Sequence, residues 1–217
     1  NNWMLCYVVP EKTAQQSYDF IEHYEIIFMA VFVILVILLV LYIVHENYRR
    51  DQELMKYAQT DALTGLYNKE TTKLRTDEIL STDKDMIHAF LILDMDCFKQ
   101  INDGYGHAVG DIVLQKFGQL LRDIFREDDI VGRIGGDEFV VVMKNIKMKE
   151  MAIAKAEELL TKTQQYEIKE LNGSAISISI GIAMAPEDGD CYMDLYKRAD
   201  QALYQAKRSG KARVCGY

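Results

Sequence analysis

Ile26 to Val44 is an unbroken apolar run with no charged side chain, IIFMAVFVILVILLVLYIV. As a helix its roughly 19 residues rise about 28 Å, close to the hydrocarbon thickness of a bilayer. Its β-branched content would suit a buried strand, but strands in water are far shorter. Length therefore favours a membrane-spanning helix. The run is too long for a cleavable leader, and acidic residues precede it. Glu11, Asp19, Glu22 and Glu25 lie before it, and His45, Arg49, Arg50 and Lys56 follow. The positive-inside rule then places the C-terminal part in the cytoplasm and the first 25 residues outside.

Those first residues lack an initiator Met, which suggests a fragment of a longer protein. Asn2 to Pro10 is rich in aromatic and β-branched residues and reads as a strand, too short to bury a core alone. Beyond the apolar run, Glu46 to Thr60 contains good helix formers and neither Gly nor Pro, so it continues the helix as a linker. Tyr48, Leu54, Met55 and Ala58 are scattered seam candidates for a coiled coil, but fewer than three heptads are available. A plain amphipathic linker fits equally.

Residues 61–217 have the length of one ordinary domain. Asn68–Leu80, Ala108–Phe125, Met148–Gln165 and Leu195–Arg208 read as helices, the second from apolar residues at helical spacing between Val109 and Ile124. Met86–Asp94 reads as a strand buried on both faces. Ser174–Met184 alternates through Ile176, Ile178, Ile180 and Ile182 and reads as a strand with one apolar face. Arg213–Val214 is a short last strand. Helices alternating with strands predict an α/β (α+β) fold, a mixed sheet with helices packed on it.

Two stretches carry the chemistry. Gly132-Arg133-Ile134-Gly135-Gly136-Asp137-Glu138-Phe139 lies between two apolar runs, and its paired glycines read as a tight hairpin using positive φ. Asp137 and Glu138 are adjacent, so on a strand they point to opposite faces. Leu91 to Asp111 runs from an apolar strand into a polar, glycine-punctuated segment. Asp94 ends that strand, where an unpaired carboxylate is costly; Asp96 faces the same way if the strand continues. Acids gathered from two strands repel, and a divalent cation with oxygen ligands relieves them. The bland alternative is solvated acids at strand ends.

Together with the lead-in Asp61-Ala62-Leu63-Thr64-Gly65-Leu66-Tyr67-Asn68-Lys69, these stretches resemble the GGDEF domain of diguanylate cyclases, over roughly Asp61 to Val214. The resemblance implies a ferredoxin-like nucleotide-cyclase or polymerase-palm core with a five-stranded sheet. It implies Mg2+, or Mn2+, on Asp94, the Met95 carbonyl and Asp137, with Glu138 a further ligand or an activator of the attacking hydroxyl. Lys99 would stabilise charge on the transferring phosphate, sound electrostatics for a residue that is otherwise a surface lysine. Asn102 and Asp111 offer the donors and acceptors that a guanine edge requires; alone they would read as a turn cap and a first-turn helix acid. His107 matches a substrate-pocket histidine and fits a structural role equally.

Ala206-Lys207-Arg208-Ser209-Gly210-Lys211 resembles the family's phosphate-binding tail, with Lys207 and Lys211 on phosphate. Lys211 stands where the family usually has arginine and Ala212 where it usually has asparagine, which weakens the bidentate grip. Arg126 and Asp129 form an RxxD pattern, with five residues before Gly135, that matches the family's product-inhibition site. An ordinary surface Arg–Asp pair is the alternative. Asn2 to Pro10 faintly resembles the last strand of an extracytoplasmic Cache-type sensor.

A net charge of −8 argues against nucleic-acid polymers as partners. Cys6, Cys97, Cys191 and Cys215 form neither a zinc signature nor a disulfide framework. The expectation is a membrane-anchored homodimeric enzyme that joins two GTP into cyclic di-GMP and is inhibited by its product. Two rivals are a non-catalytic receptor for cyclic di-GMP or GTP and a relaxed cyclase that also takes ATP. Intact Asp94, Lys99 and Gly135–Phe139 oppose the first, and Asp111 opposes the second.

Overall fold

The computed structural model describes residues 11–173 and 175–217, without the side chains of residues 11–23, 26 and 50–58. The expected strand Asn2–Pro10, Cys6, most of the N-terminal acids and the seam candidates Leu54, Met55 and Ala58 lie outside what is described. The chain divides into two compact units, Asn1–Leu54 and Met55–Tyr217. In the first, helix α1 begins; it runs unbroken from Glu11 to Gln59. Within its stretch Ile27–Arg49, the most apolar 18 residues have a mean hydropathy of 3.5 and none of them is buried, so the stretch is long and apolar enough to cross a membrane. Linker and apolar run are thus one helix, as expected from the absence of Gly and Pro.

The second unit contains α2 (Lys69–Thr82), β1 (His88–Met95), α3 (Phe98–Tyr105), α4 (His107–Ile124), β2 (Ile130–Arg133), β3 (Glu138–Met143), α5 (Lys149–Gln165), β4 (Ile178–Ala185), α6 (Tyr192–Arg208) and β5 (Val214–Gly216). The sheet order is β2-β3-β1-β4-β5. All pairs are antiparallel except β4–β5, which confirms the expected mixed five-stranded sheet. Helix α2 starts one residue later than expected, with Asn68 as its cap: the Asn68 carboxamide oxygen accepts from the Thr71 amide at 2.9 Å, satisfying a free first-turn donor.

Strand alternation sorts the core into two layers. Leu91, Leu93, Phe139, Val141, Ile180 and Ile182 face α4 and α5, joining Phe117, Leu121 and Leu159. Phe90, Ile92, Val140, Val142 and Ala183 face α2 and α6, joining Leu80, Leu195 and Leu203. Phe117 and Phe139 meet edge to face, with ring centroids 4.9 Å apart, a geometry worth about 1 kcal/mol beyond area burial.

Strand β4 departs from expectation. It is buried along its whole length and has no solvent face. The alternation in its sequence is between large and small residues, because Ser179, Gly181 and Ala183 lie under α6. A Cβ on Gly181 would collide with the Ala199 carbonyl and the Leu203 backbone. The helix therefore sits directly on the strand.

The turn between β2 and β3 also departs from expectation. Gly135 and Gly136 do not adopt positive φ. The connection is longer than a two-residue hairpin: the Ile134 amide donates to the Glu138 carbonyl at 3.0 Å and Gly135 to the same oxygen at 3.4 Å. A Cβ at 135 would stand 2.9 Å from a Glu138 carboxylate oxygen, so a larger residue there would push that side chain aside. Another feature not anticipated is α3, a separate short helix in the polar segment after β1.

Candidate active site

Asp94 and Glu138 are direct cross-strand partners on β1 and β3. By alternation both share the face of Ile92 and Val140, towards α6. Helix α6 brings Lys207 to this corner, with its Nζ 2.7 Å from Asp94 Oδ2. Asp137 precedes β3 instead of lying on it, so strand alternation does not separate it from Glu138. The expected division between the two acids is thereby corrected. The Asp137 carbonyl accepts from the Met95 amide at 3.2 Å, tying the turn to the end of β1.

The electrostatics show a site short of positive charge. Burial lifts the Asp94 carboxyl above its ordinary range, and the nearby Asp137 and Asp96 charges add to this against the pull of Lys207. Burial also lifts Glu138, followed by repulsion from Asp94 and Asp137, with Asp200 contributing from α6. Several carboxylates thus converge on one lysine. A divalent ion with hard oxygen ligands suits such a set, and the donors present fit Mg2+ or Mn2+.

Asp96 does not join the cluster as a second strand acid, because β1 ends at Met95. Its carboxylate accepts from Ser177 Oγ at 2.7 Å, Ser179 Oγ at 2.8 Å and the Ala212 amide at 3.1 Å. It anchors the chain after α6 to the start of β4. The same tail carries Lys211, whose Nζ lies 3.2 Å from Cys97 Sγ. Lys211 and Ala212 have φ of 60° and 48°. Left-handed backbone favours asparagine over alanine, so the departure from the family pattern at 212 meets a backbone that the usual residue suits better.

Lys99 is exposed in the first turn of α3. Asn102, on the same helix, is half-buried, and its side-chain oxygen would be struck by any Cβ at Gly110 of α4. Asp111 follows Gly110 and is exposed, as is His107 at the start of α4. The α3–α4 corner thus assembles Asn102, His107 and Asp111. Asp111 lies beyond the first turn of α4, so the reading of it as a first-turn acid falls away.

Arg126 and Asp129 stand apart from this corner. Asp129 is buried, and its carboxylate accepts from the Arg126 amide and the Lys144 amide, each at 3.0 Å. Neither an open acceptor nor a surface ion pair describes it: its carboxylate ties the start of β2 to the end of β3. Arg126 is exposed beside a cavity of about 370 Å³ that Tyr67, Arg122 and Phe125 also line.

One functional element had no sequence signal of its own. The Arg133 guanidinium bonds both Asp61 oxygens, at 3.0 and 3.2 Å, and the Gly136 carbonyl at 2.8 and 3.1 Å. Asp61 also accepts from the Thr64 amide at 2.9 Å and hydroxyl at 2.7 Å. The segment that follows α1 is thus clamped to the residue before Asp137.

Comparison with known proteins agrees with this geometry. The family model "Diguanylate cyclase, GGDEF domain" matches residues 58–213. Diguanylate cyclase DgcS of Shewanella oneidensis is 36% identical over 168 residues, 76% of this chain and 55% of that protein. Response regulator PleD of Caulobacter vibrioides is 36% identical over 168 residues, 75% of this chain and 37% of that protein. The chain spans between about a quarter and about half of the curated relatives it matches. Among solved structures, the coiled coil and GGDEF domain of DgcB from Caulobacter crescentus, in complex with c-di-GMP, superposes with a TM-score of 0.73 at 25% identity, covering 80% of this chain and 93% of that one. The GGDEF domain of TpbB (YfiN) from Pseudomonas aeruginosa gives 0.68 at 35% identity, covering 72% and 93%. With the acid corner, the α3–α4 corner and the sheet order all in place, this chain belongs to the GGDEF domain family of diguanylate cyclases.

Proposed function

We propose that the chain is a diguanylate cyclase that condenses two GTP into cyclic di-GMP and releases two pyrophosphates. The observation that carries this reading is the convergence of Asp94, Asp137 and Glu138 beside Lys207 at one end of β1 and β3. Mg2+ or Mn2+ would be held by those carboxylates and the Met95 carbonyl, and would supply Lewis-acid stabilisation of charge on phosphate oxygens. Lys99, Lys207 and Lys211 would hold and neutralise the phosphates. Asn102 and Asp111 would take the guanine edge, with His107 beside them; the Asp111 carboxylate suits the guanine N1 and N2 donors and disfavours adenine. Glu138 would serve either as ligand or as the group that draws the proton from the attacking 3′-hydroxyl.

Each domain holds half of the reacting pair, so a homodimer would set the rate by proximity. Residues 1–25 would be extracytoplasmic, 26–44 the single membrane span, 45–60 the signalling linker and 61–217 the cytoplasmic cyclase. Cyclic di-GMP would bind beside Arg126, on the turn that the buried Asp129 carboxylate holds in place, and hold two domains apart from the productive pose. The direct test incubates the 217-residue chain in detergent with Mg2+ and GTP and identifies products by mass. Cyclic di-GMP and pyrophosphate are expected, and Asp137→Ala should abolish both while leaving the circular dichroism spectrum unchanged. No product from the unaltered chain would favour the receptor reading; full turnover in the variant would remove Asp137 from the chemistry.

A further inference from the structure

The position of Lys207 bears on the order in which the site fills. Its ammonium lies 2.7 Å from Asp94, against the carboxylate whose burial most disfavours unpaired charge. The groups around this contact come from three elements: Asp94 on β1, Asp137 and Glu138 at the head of β3, and Asp200 on α6, with Asp96 beyond the end of β1. A divalent ion on Asp94 would stand within a few ångströms of that ammonium, and like charges at such range repel strongly where water is partly excluded. Metal and Lys207 therefore compete for one oxygen.

The backbone of α6 cannot relieve the competition by sliding, because the helix sits on Gly181 with no room between. The side chain can. Its flexible four-carbon stem lines an open cavity of about 520 Å³ with Glu138, Asp200, Tyr204 and Arg208. Nucleotide phosphates would give the ammonium a new partner and release Asp94.

Building on the cyclase reading above, we propose that Lys207 is a resident counter-cation that keeps free divalent metal out of the acid corner until a nucleotide draws it away. Metal and triphosphate then enter together, and each raises the affinity for the other.

The test reads protein-bound Mn2+ by equilibrium dialysis of the 217-residue chain in detergent, where Mn2+ chelated by free nucleotide distributes equally across the dialysis membrane. Titrations are run with and without a GTP analogue that cannot transfer its α-phosphate. The unaltered chain should bind Mn2+ weakly alone and at least roughly tenfold more tightly with the analogue. Lys207→Met should bind Mn2+ alone roughly tenfold more tightly than the unaltered chain, and Lys207→Arg, which keeps the charge, should not. Should Lys207→Met lose its native circular dichroism spectrum, Lys207→Gln takes its place. Equal binding by the neutral variant and the unaltered chain in the absence of nucleotide, with the analogue effect intact, overturns the counter-cation role alone. Absence of Mn2+ binding by any folded form even with the analogue overturns the cyclase reading and this inference together.

Discussion

Replacing Arg133 with Met should uncouple the segment after α1 from the catalytic turn. The substitution keeps the length of the side chain and removes four hydrogen bonds, two to Asp61 and two to the Gly136 carbonyl. Hydrogen bonds to charged groups contribute about 1.5–3 kcal/mol each when well shielded. Here the Arg133 and Asp61 side chains are 14% and 25% exposed, so solvent screening reduces the total. Asp61 keeps its two bonds from Thr64, and the Gly136 carbonyl can turn to water. The expected loss is about 2 kcal/mol, or about 4–8 °C in melting temperature for a domain of this size. Burial raises the Asp61 carboxyl, but the Thr64 hydroxyl and amide together with Arg133 outweigh it and hold the group below its usual 3.8. A depressed carboxylate contributes stability above its unfolded value and loses it as pH falls through the folded value. The difference between the two proteins should therefore be full at pH 7 and shrink as pH falls below 3.8. Turnover should fall at least about tenfold, because the clamp fixes the residue before Asp137 and small misplacements of reacting groups are costly. Urea denaturation across pH and steady-state pyrophosphate release measure both effects. Unchanged turnover with the full stability loss would show that the clamp holds the fold and not the site.

The acid corner has an opposite pH signature. Glu138 is raised by burial and by its neighbours' charge, so its ionisation opposes folding, and stability of the metal-free chain should rise as pH falls through its raised value towards the ordinary 4.5. Glu138→Gln should flatten that rise in thermal melts with chelator and stabilise the chain at pH 7; a steeper rise in the variant would refute the assignment. At the proposed product site, Arg126→Ala should relieve inhibition while preserving the initial rate, measured from progress curves and from calorimetric binding of cyclic di-GMP. Unchanged product affinity would remove Arg126 from that site. Because Asp129 ties two backbone segments, Asp129→Ala should instead lower stability by about 1 kcal/mol, from two part-buried amides that lose their acceptor.

The sequence was most legible where one physical requirement acts on a contiguous segment. The charge-free run and the apolar spacing of α4 each specify their element locally. The acid corner was legible by residue type, but its geometry was not. Whether Asp137 and Glu138 converge depends on where β3 begins, because a residue that precedes the strand escapes its alternation. The role of Asp96 depended likewise on β1 ending at Met95. The Arg133 clamp joins residues 72 positions apart and leaves no periodic or compositional trace. Strand β4 was misread because alternating large and small residues look like alternating buried and exposed ones when serine is among the small.

That misread strand predicts how the molecule tolerates variation. Helix α6 carries Lys207 at its last turn, and the height of that helix above the sheet is set by an absent side chain at Gly181. In a saturation mutagenesis screen, Gly181 would score as intolerant as Asp94 although it bears no functional group. Selection on catalysis would thus preserve a close contact between two backbones as strictly as it preserves a carboxylate.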